Sequence, residues 1–214
     1  MKIVLFDSGL GLLPFVRLIL KENYSGEFYL LLDNDHFPYG DKNDESLVCI
    51  LENIFSEVKK INADYLFICC NTMSRIYYKY SLKSDFKVVT ILDINLSHYQ
   101  PDFYLFGTNS LCNLNEYKTY SGDNLAYLIE SNQIKEIIRL LKRIDKKIIL
   151  SCTHYLLLKP LLDYYQIQYQ SFEEEMFSNL RTDLPLKIYI KRKDYSRLKN
   201  YLNCSINFYW CEYI

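Results

Sequence analysis

Two short stretches of this 214-residue chain place thiols where a reacting group would have to stand. In the first, Tyr65 to Cys69 is a wholly apolar run of strand length that stops on Cys70, Asn71 and Thr72, and a helical pattern follows from Met73. The second, Lys147 to Tyr155, repeats the order: an apolar run, then Cys152, Thr153 and His154, then a helical pattern. In open α/β sheets, ligands bind where strands end and helices begin. A thiol there serves as base or nucleophile once it loses its proton, and an amide and hydroxyls beside it can hold a substrate. A free thiol has a pKa of about 8.5, so a working thiolate at neutral pH needs help from a neighbour. His154, just beyond Cys152, can approach that site from the first helical turn. Read alone, Cys70 is a small buried hydrophobe, as most free cysteines are. The second copy turns the reading into one site with two arms.

Other chemistries use the same residues. Cys69-Cys70 with Cys152-x-His154 could hold zinc, but no Cys-x-x-Cys pair supports such a site. A thiol hydrolase would need His154 to reach back to Cys152 as an oriented base, and no acyl pocket is evident. Asp7-Ser8-Gly9-Leu10-Gly11 is a strand-to-helix turn or a weak phosphate loop; it lacks the third glycine of a dinucleotide fingerprint, and Pro14 follows soon after. Pro38-Tyr39-Gly40 alone is a turn. Glu130 alone is an exposed helix acid. Cys49, Cys112, Cys204 and Cys211 have no comparable surroundings and read as structural.

The elements that must position these residues alternate from end to end. Lys2 to Phe6 is a strand ending on Asp7, and Leu12 to Lys21 has helical periodicity. Glu27 to Leu32 is a second strand, and the Pro-x-Gly of the loop after it marks a turn. Glu45 to Lys60 carries a helical stripe of Leu47, Ile50, Leu51, Ile54, Phe55 and Val58. Beyond the Cys70 strand come a helix from Met73 to Tyr80, a strand from Lys87 to Leu92 and a crossing from Asp93 to Asp102. Phe103 to Gly107 is a strand, and Leu111 to Asn124 shows no pattern. Leu125 to Arg143 is helical, with a break or restart at Glu130-Ser131-Asn132. After the Cys152 strand, Leu156 to Tyr165 is helical, Gln166 to Gln170 a short strand and Glu173 to Leu180 a short helix. A strand-helix-strand from Leu186 to Tyr213 closes the chain. Such alternation predicts parallel sheets with helices on both faces. The expected fold is α/β, with two similar parallel-sheet domains facing each other across an active-site cleft. Residues 1–96 with 186–214 would form the first and residues 97–185 the second.

Composition narrows the partners. Half of the residues are hydrophobic, enough for a substantial core, and a net charge of −1 leaves no nucleic-acid footprint. Lys191-Arg192-Lys193 is read as a solvated turn. Seven cysteines at irregular spacing, with no signal peptide before them, predict free thiols in a reducing cytoplasm. No apolar stretch approaches the roughly 20 residues of a membrane span. The expectation is a soluble cytoplasmic protein with no nucleic-acid or membrane partner.

Taken together, Phe6-Asp7-Ser8-Gly9-Leu10-Gly11, Pro38-Tyr39-Gly40, Cys70-Asn71-Thr72 and Cys152-Thr153-His154-Tyr155 resemble the signatures of cofactor-independent glutamate racemases, in the aspartate/glutamate racemase superfamily. They occur in the family's order, and the resemblance covers nearly the whole chain. The Asp-Ser-Gly and Pro-Tyr-Gly elements favour the glutamate branch over aspartate. The resemblance implies glutamate bound between two α/β domains, with Cys70 and Cys152 on opposite faces of its α-carbon. One thiolate removes the α-proton while the other thiol delivers one, with Cys70 serving D-glutamate and Cys152 L-glutamate. By the same resemblance Asp7 assists Cys70, His154 assists Cys152, and Glu130 lies on the second side. Asp7, Ser8, Tyr39, Gly40, Asn71, Thr72, Thr153 and His154 would then hold substrate. No cofactor and no metal is implied; the small-molecule partner is glutamate, its D-form a peptidoglycan precursor, and a homodimer is implied by relatives alone.

The chemistry accounts for these residue types. An α-proton beside a carboxylate is weakly acidic, so its base must be dry and well placed. Inversion by one base requires it to swing between faces, which two fixed bases avoid. The chain departs from the family pattern at Leu12 and Ser151, where glycine is usual, at Leu156, where proline is usual, and at Cys69, where alanine is usual. The segment between Thr108 and Glu130 is shortened. These departures motivate a rival reading, a binding or regulatory protein that kept the pocket without turnover.

Overall fold

In the computed structural model, which describes residues 1–22, 24–178, 180, 185–199, 201–202 and 208–210, β1 (Lys2–Asp7) is buried along nearly its whole length. Its side chains alternate: Ile3 and Leu5 enter the core that continues beneath the second sheet, while Val4 and Phe6 enter the core on the opposite face. That is the period-2 division expected of a strand covered on both sides. A 3-10 turn, Leu10–Leu12, leads into α1 (Leu13–Lys21), which carries Pro14 in its first turn, where a missing N–H costs no hydrogen bond. β2 (Glu27–Leu32) follows, then α2 (Asp44–Ile61). The side chain of Asn43 caps α2 by accepting from the Ser46 N–H at 2.9 Å, and Asn62 ends it in the left-handed region at φ 55°.

β3 (Tyr65–Ile68), α3 (Asn71–Lys79) and β4 (Lys87–Thr90) complete the first half of the chain. The strand expected to reach Leu92 ends earlier, because the Thr90 hydroxyl accepts from the Asp93 N–H at 3.1 Å and starts α4 (Ile91–Ser97). The first half of the crossing segment is thus helical. β5 (Tyr104–Gly107) is followed by a short β6 (Thr119–Ser121), which lies in the stretch read as unpatterned. The long helix expected over 125–143 is two helices, α5 (Leu125–Glu130) and α6 (Ile134–Leu141). Asn132, at φ 54°, makes the break.

β7 (Ile148–Leu150) is followed by a 3-10 segment, Thr153–Leu158, and then α7 (Lys159–Tyr164) and β8 (Tyr169–Gln170). β9 (Lys187–Ile190), α8 (Arg192–Lys199) and β10 (Phe208–Trp210) end the described chain. The basic run read as a turn opens α8, and Lys193 pairs with Asp35 at 2.7 Å. Cys204 and Cys211, and the side chain of Cys112, lie outside what is described.

The strands form two sheets, β10-β9-β2-β1-β3-β4 and β6-β5-β7-β8, and every pairing is parallel. The fold is therefore α/β, with two parallel-sheet units and a cleft between them. Register decides what reaches that cleft. Phe6 pairs with Ile68, and the Cys69 N–H donates to the Phe6 carbonyl at 2.8 Å, so Ser8 and Cys70 emerge side by side, one residue beyond Asp7 and Cys69. Phe106 pairs with Leu150 in the same way, and its carbonyl accepts from Ser151 and Cys152, which brings Thr108 beside the second thiol. No described helix is long and apolar enough to cross a membrane.

Phe177 fastens the two units. It sits in the 3-10 turn Glu173–Phe177, after the last strand of the smaller sheet, and is fully buried. Its ring lies 5.5 Å from Phe67, 6.3 Å from Phe15 and 5.1 Å from Tyr24, all in the unit of the larger sheet. Truncating a buried aromatic removes both transfer energy and packing. Phe177→Ala is expected to cost about 3–5 kcal/mol, read as a lower denaturation midpoint in urea.

Candidate active site

The strand ends of the two sheets line one cavity of about 120 Å³. The larger sheet supplies Ser8, Cys70, Asn71 and Thr72, and the smaller one Thr108, Asn109, Cys152, Thr153 and His154. The segment from Phe37 to Asp41 and Asp123, Asn124, Ala126 and Tyr127 complete the walls. The two thiols expected to act together therefore share one space. Cys69 faces away: it is buried in the core and its thiol points at the Phe67 carbonyl, 3.7 Å off. Adjacent residues of an extended strand point to opposite faces, which separates Cys69 from Cys70.

Tyr39 and Gly40 form part of the cleft wall, and the Tyr39 hydroxyl donates to Asp33 at 2.6 Å. The Phe37 ring lies 5.5 Å from the His154 ring. Thr72 shares a hydrogen bond with Ser110 across the cleft at 3.1 Å, and Ser110 in turn meets Thr108 at 2.9 Å. Asn71 is buried, and its side-chain carbonyl oxygen has no protein partner among the described residues. A buried acceptor without a donor is costly, so this one is suited to a ligand N–H.

Asp7 and Glu130 stand behind the lining rather than in it. Asp7 is fully buried; its carboxylate accepts from the Gly9 N–H at 3.0 Å and from the Thr153 hydroxyl at 2.8 Å. Glu130 Oε1 accepts from the Leu10 N–H at 2.5 Å and pairs with His154 Nε2 at 2.7 Å. Glu130 is thus no exposed helix acid. Gly9 and Gly11 make this possible: a Cβ on Gly9 would collide with Glu130, and one on Gly11 would strike Thr153, Asp7 and His154. The requirement is room rather than a left-handed backbone.

Burial sets the protonation of this cluster. It raises the Asp7 carboxyl to about 6, although the nearby His154 and its hydrogen bonds pull the other way. For His154 burial alone favours the neutral ring, but the hydrogen bonds to Cys152 and Glu130 and the field of Asp7 outweigh it and hold the imidazole near 10. Burial, then the Asp7 charge, pushes the Cys70 thiol well above its ordinary value. Cys70 is accordingly a thiol at rest, directed at Ser8 Oγ 3.9 Å away. His154, beside Cys152, is an imidazolium at neutral pH. The two arms are chemically unequal.

No protein-family model matches the chain. It is similar to the glutamate racemase of Borreliella burgdorferi, 27% identical over 207 residues that cover 83% of this chain and 77% of the relative. A shorter match, 31% identical over 93 residues, covers 43% of this chain and 35% of the glutamate racemase of Aliarcobacter butzleri. Among solved structures, a glutamate racemase isoform from Bacillus anthracis superposes with a TM-score of 0.77 at 17% identity, covering 99% of this chain and 97% of that one. The chain thus shares its fold with solved glutamate racemases and is similar in sequence to curated ones. Of the departures from the family pattern, Leu12, Ser151 and Leu156 fall outside the cleft lining and are buried in packing, whereas the shortened segment between Thr108 and Glu130 supplies part of the cleft wall. Thr108, Asn109, Asp123 and Tyr127 are cleft residues that sequence reasoning did not single out. Thr108 was accessible in principle, since it ends the strand beside the Cys152 strand.

A folded-state pKa above the unfolded value means the folded protein holds the proton more tightly. The stability contributed by His154 is therefore complete below about pH 6.5 and is lost as pH rises toward 10. Replacing Glu130 by Gln removes one support of the imidazolium. In ring-proton NMR titrations the His154 midpoint is expected near 10 in the parent protein, and it should fall toward the ordinary value in Glu130→Gln.

Proposed function

We propose that the protein is a glutamate racemase that inverts the α-carbon with two fixed cysteines and no cofactor. The observation that carries this reading is the placement of Cys70 and Cys152, from different sheets, on one amino-acid-sized cavity, each with its own polar partner. The relatives named above are glutamate racemases, which supports glutamate over aspartate as substrate. The division of the chain into residues 1–96 with 186–214 and residues 97–185 is part of the same proposal.

The mechanism follows from the unequal arms. The substrate ammonium donates to the unpartnered carbonyl oxygen of Asn71. Its α-carboxylate lies at the start of α3, where the first backbone N–H groups lack intrahelical acceptors and Thr72 adds a hydroxyl. Ser8, Tyr39, Gly40 and Thr153 line the remaining space. With L-glutamate bound, a Cys152 thiolate takes the α-proton, and the electron pair of the broken C–H bond delocalises into the hydrogen-bonded carboxylate. Cys70, a thiol at rest, gives its proton to the opposite face of that carbon. A new C–H bond forms, D-glutamate results, and Cys70 is left as a thiolate. The reverse reaction restores it, or solvent does. Asp7, hydrogen-bonded through Thr153, and Glu130, through His154, govern the charge around the two sulfurs without touching substrate.

Circular dichroism of the purified, reduced protein with each glutamate enantiomer, and with aspartate in parallel, tests the reading. Interconversion of glutamate is expected, and none would contradict it. Cys70→Ser and Cys152→Ser should each lower racemisation by at least about a hundredfold, the lower range of general acid–base contributions. With glutamate bearing a β-chlorine, elimination needs proton removal alone. Cys70→Ser should then retain elimination from the L-form and Cys152→Ser from the D-form. Equal activity of both variants on both enantiomers would refute two fixed bases.

A further inference from the structure

A second cavity, of about 340 Å³, lies between the β5–β6 pair and the α5–α6 helices. That volume falls within the range of small-molecule sites, roughly 300–1,000 Å³. Its floor is aromatic. The Phe106 and Tyr120 rings stack at 5.3 Å with 24° between their planes, and Leu140 and Ile144 close one side. At the rim stands Arg143, whose exposed guanidinium has no side-chain partner among the described residues. The Asp123 carboxylate also lines the cavity; an anionic group held at Arg143, with a flat ring on the apolar, aromatic floor, is the ligand that this lining complements.

The cavity also shares structure with the catalytic cleft. Asp123 lines both spaces. Its neighbour Ser121 donates to the side-chain oxygen of Asn109, a cleft residue, at 2.5 Å. Beneath the floor, Phe106 lies 4.7 Å from Tyr155, the residue that follows His154. A ligand that reorders the Ser121–Asp123 segment must therefore move part of the cleft wall.

We propose that this cavity is an effector site for a small aromatic carboxylate, its ring against Phe106 and Tyr120 and its charge on Arg143, and that its occupant changes substrate affinity through the shared Asp123 wall. The coupling half rests on the cleft being the glutamate site; the binding half does not.

Indole-3-acetate is a suitable probe, and tryptamine, with a similar ring and opposite charge, its control. Calorimetry on the full chain should show indole-3-acetate binding at least tenfold more tightly than tryptamine. Arg143→Gln should weaken it by about three- to fivefold, the scale of a solvent-exposed charge pair, with an unchanged melting temperature. Leu140→Trp, which fills the cavity, should abolish binding; if that variant does not fold, the exposed Arg143 position still decides. Saturating indole-3-acetate should shift the dissociation constant of D-glutamate by at least twofold. Equal binding of the two probes, or an unaltered Arg143→Gln, overturns the site. Unshifted glutamate affinity with the probe bound overturns the coupling alone. A protein that takes indole-3-acetate but no glutamate contradicts the racemase reading and the coupling, and leaves the binding site standing.

Discussion

Three ionisable side chains from distant parts of the chain meet in a dry interior where the two sheets face one another. Asp7, Glu130 and His154 are each almost wholly screened from water. An unpaired charge in such a place costs several kcal/mol, so the arrangement persists only because each group is answered. Glu130 takes the Leu10 N–H and the imidazole, while Asp7 takes the Gly9 N–H and the Thr153 hydroxyl. One bond of each pair, Leu10 to Glu130 and Thr153 to Asp7, runs from one sheet's unit to the other. The same contacts that satisfy the charges thus hold the two walls of the cleft in register, and removing one partner would leave another charge stranded.

This constraint also makes the thiols unequal. Two thiolates facing each other in a cleft of low polarity would repel strongly, so one must keep its proton. Cys70 sits near the Asp7 carboxylate, whose field opposes ionisation and adds to the cost of burial. Cys152 sits beside an imidazolium, a hydrogen-bond donor to sulfur. Two-sided proton transfer needs such a resting state, one group ready to accept and the other ready to give. The glycines at 9 and 11 are part of it, since any side chain there would occupy the space in which the carboxylates and imidazole meet.

How much of this was legible in the sequence depends on the range of the interactions. Cys70, Cys152 and His154 stand within a few residues of the ends of apolar runs, so strand-end logic finds them, while the role of Asp7 came from the resemblance. Glu130 is different: its partner Leu10 is 120 residues away, and only the resemblance pointed to it. The three-residue β6 has no apolar alternation and is half-buried throughout, so it exists by pairing with β5 rather than by its own pattern. α4 was hidden because Ile91 and Leu92 continue the apolar run of β4, and the Thr-x-x-Asp cap that ends the strand is a quieter signal. Leu12, Ser151 and Leu156, departures that motivate the rival reading, pack away from the cleft.

In the proposed reaction, separate groups remove and deliver the proton. Isotope incorporation in deuterium oxide tests it directly, starting from protiated L-glutamate and sampling before much product has formed. Two fixed thiols predict deuterium at the α-carbon of the D-glutamate formed, while unreacted L-glutamate keeps its protium, because the abstracting thiol returns the proton it took. A single base would carry protium into the product, or wash deuterium into both enantiomers alike. Either pattern would contradict the opposed-thiol mechanism.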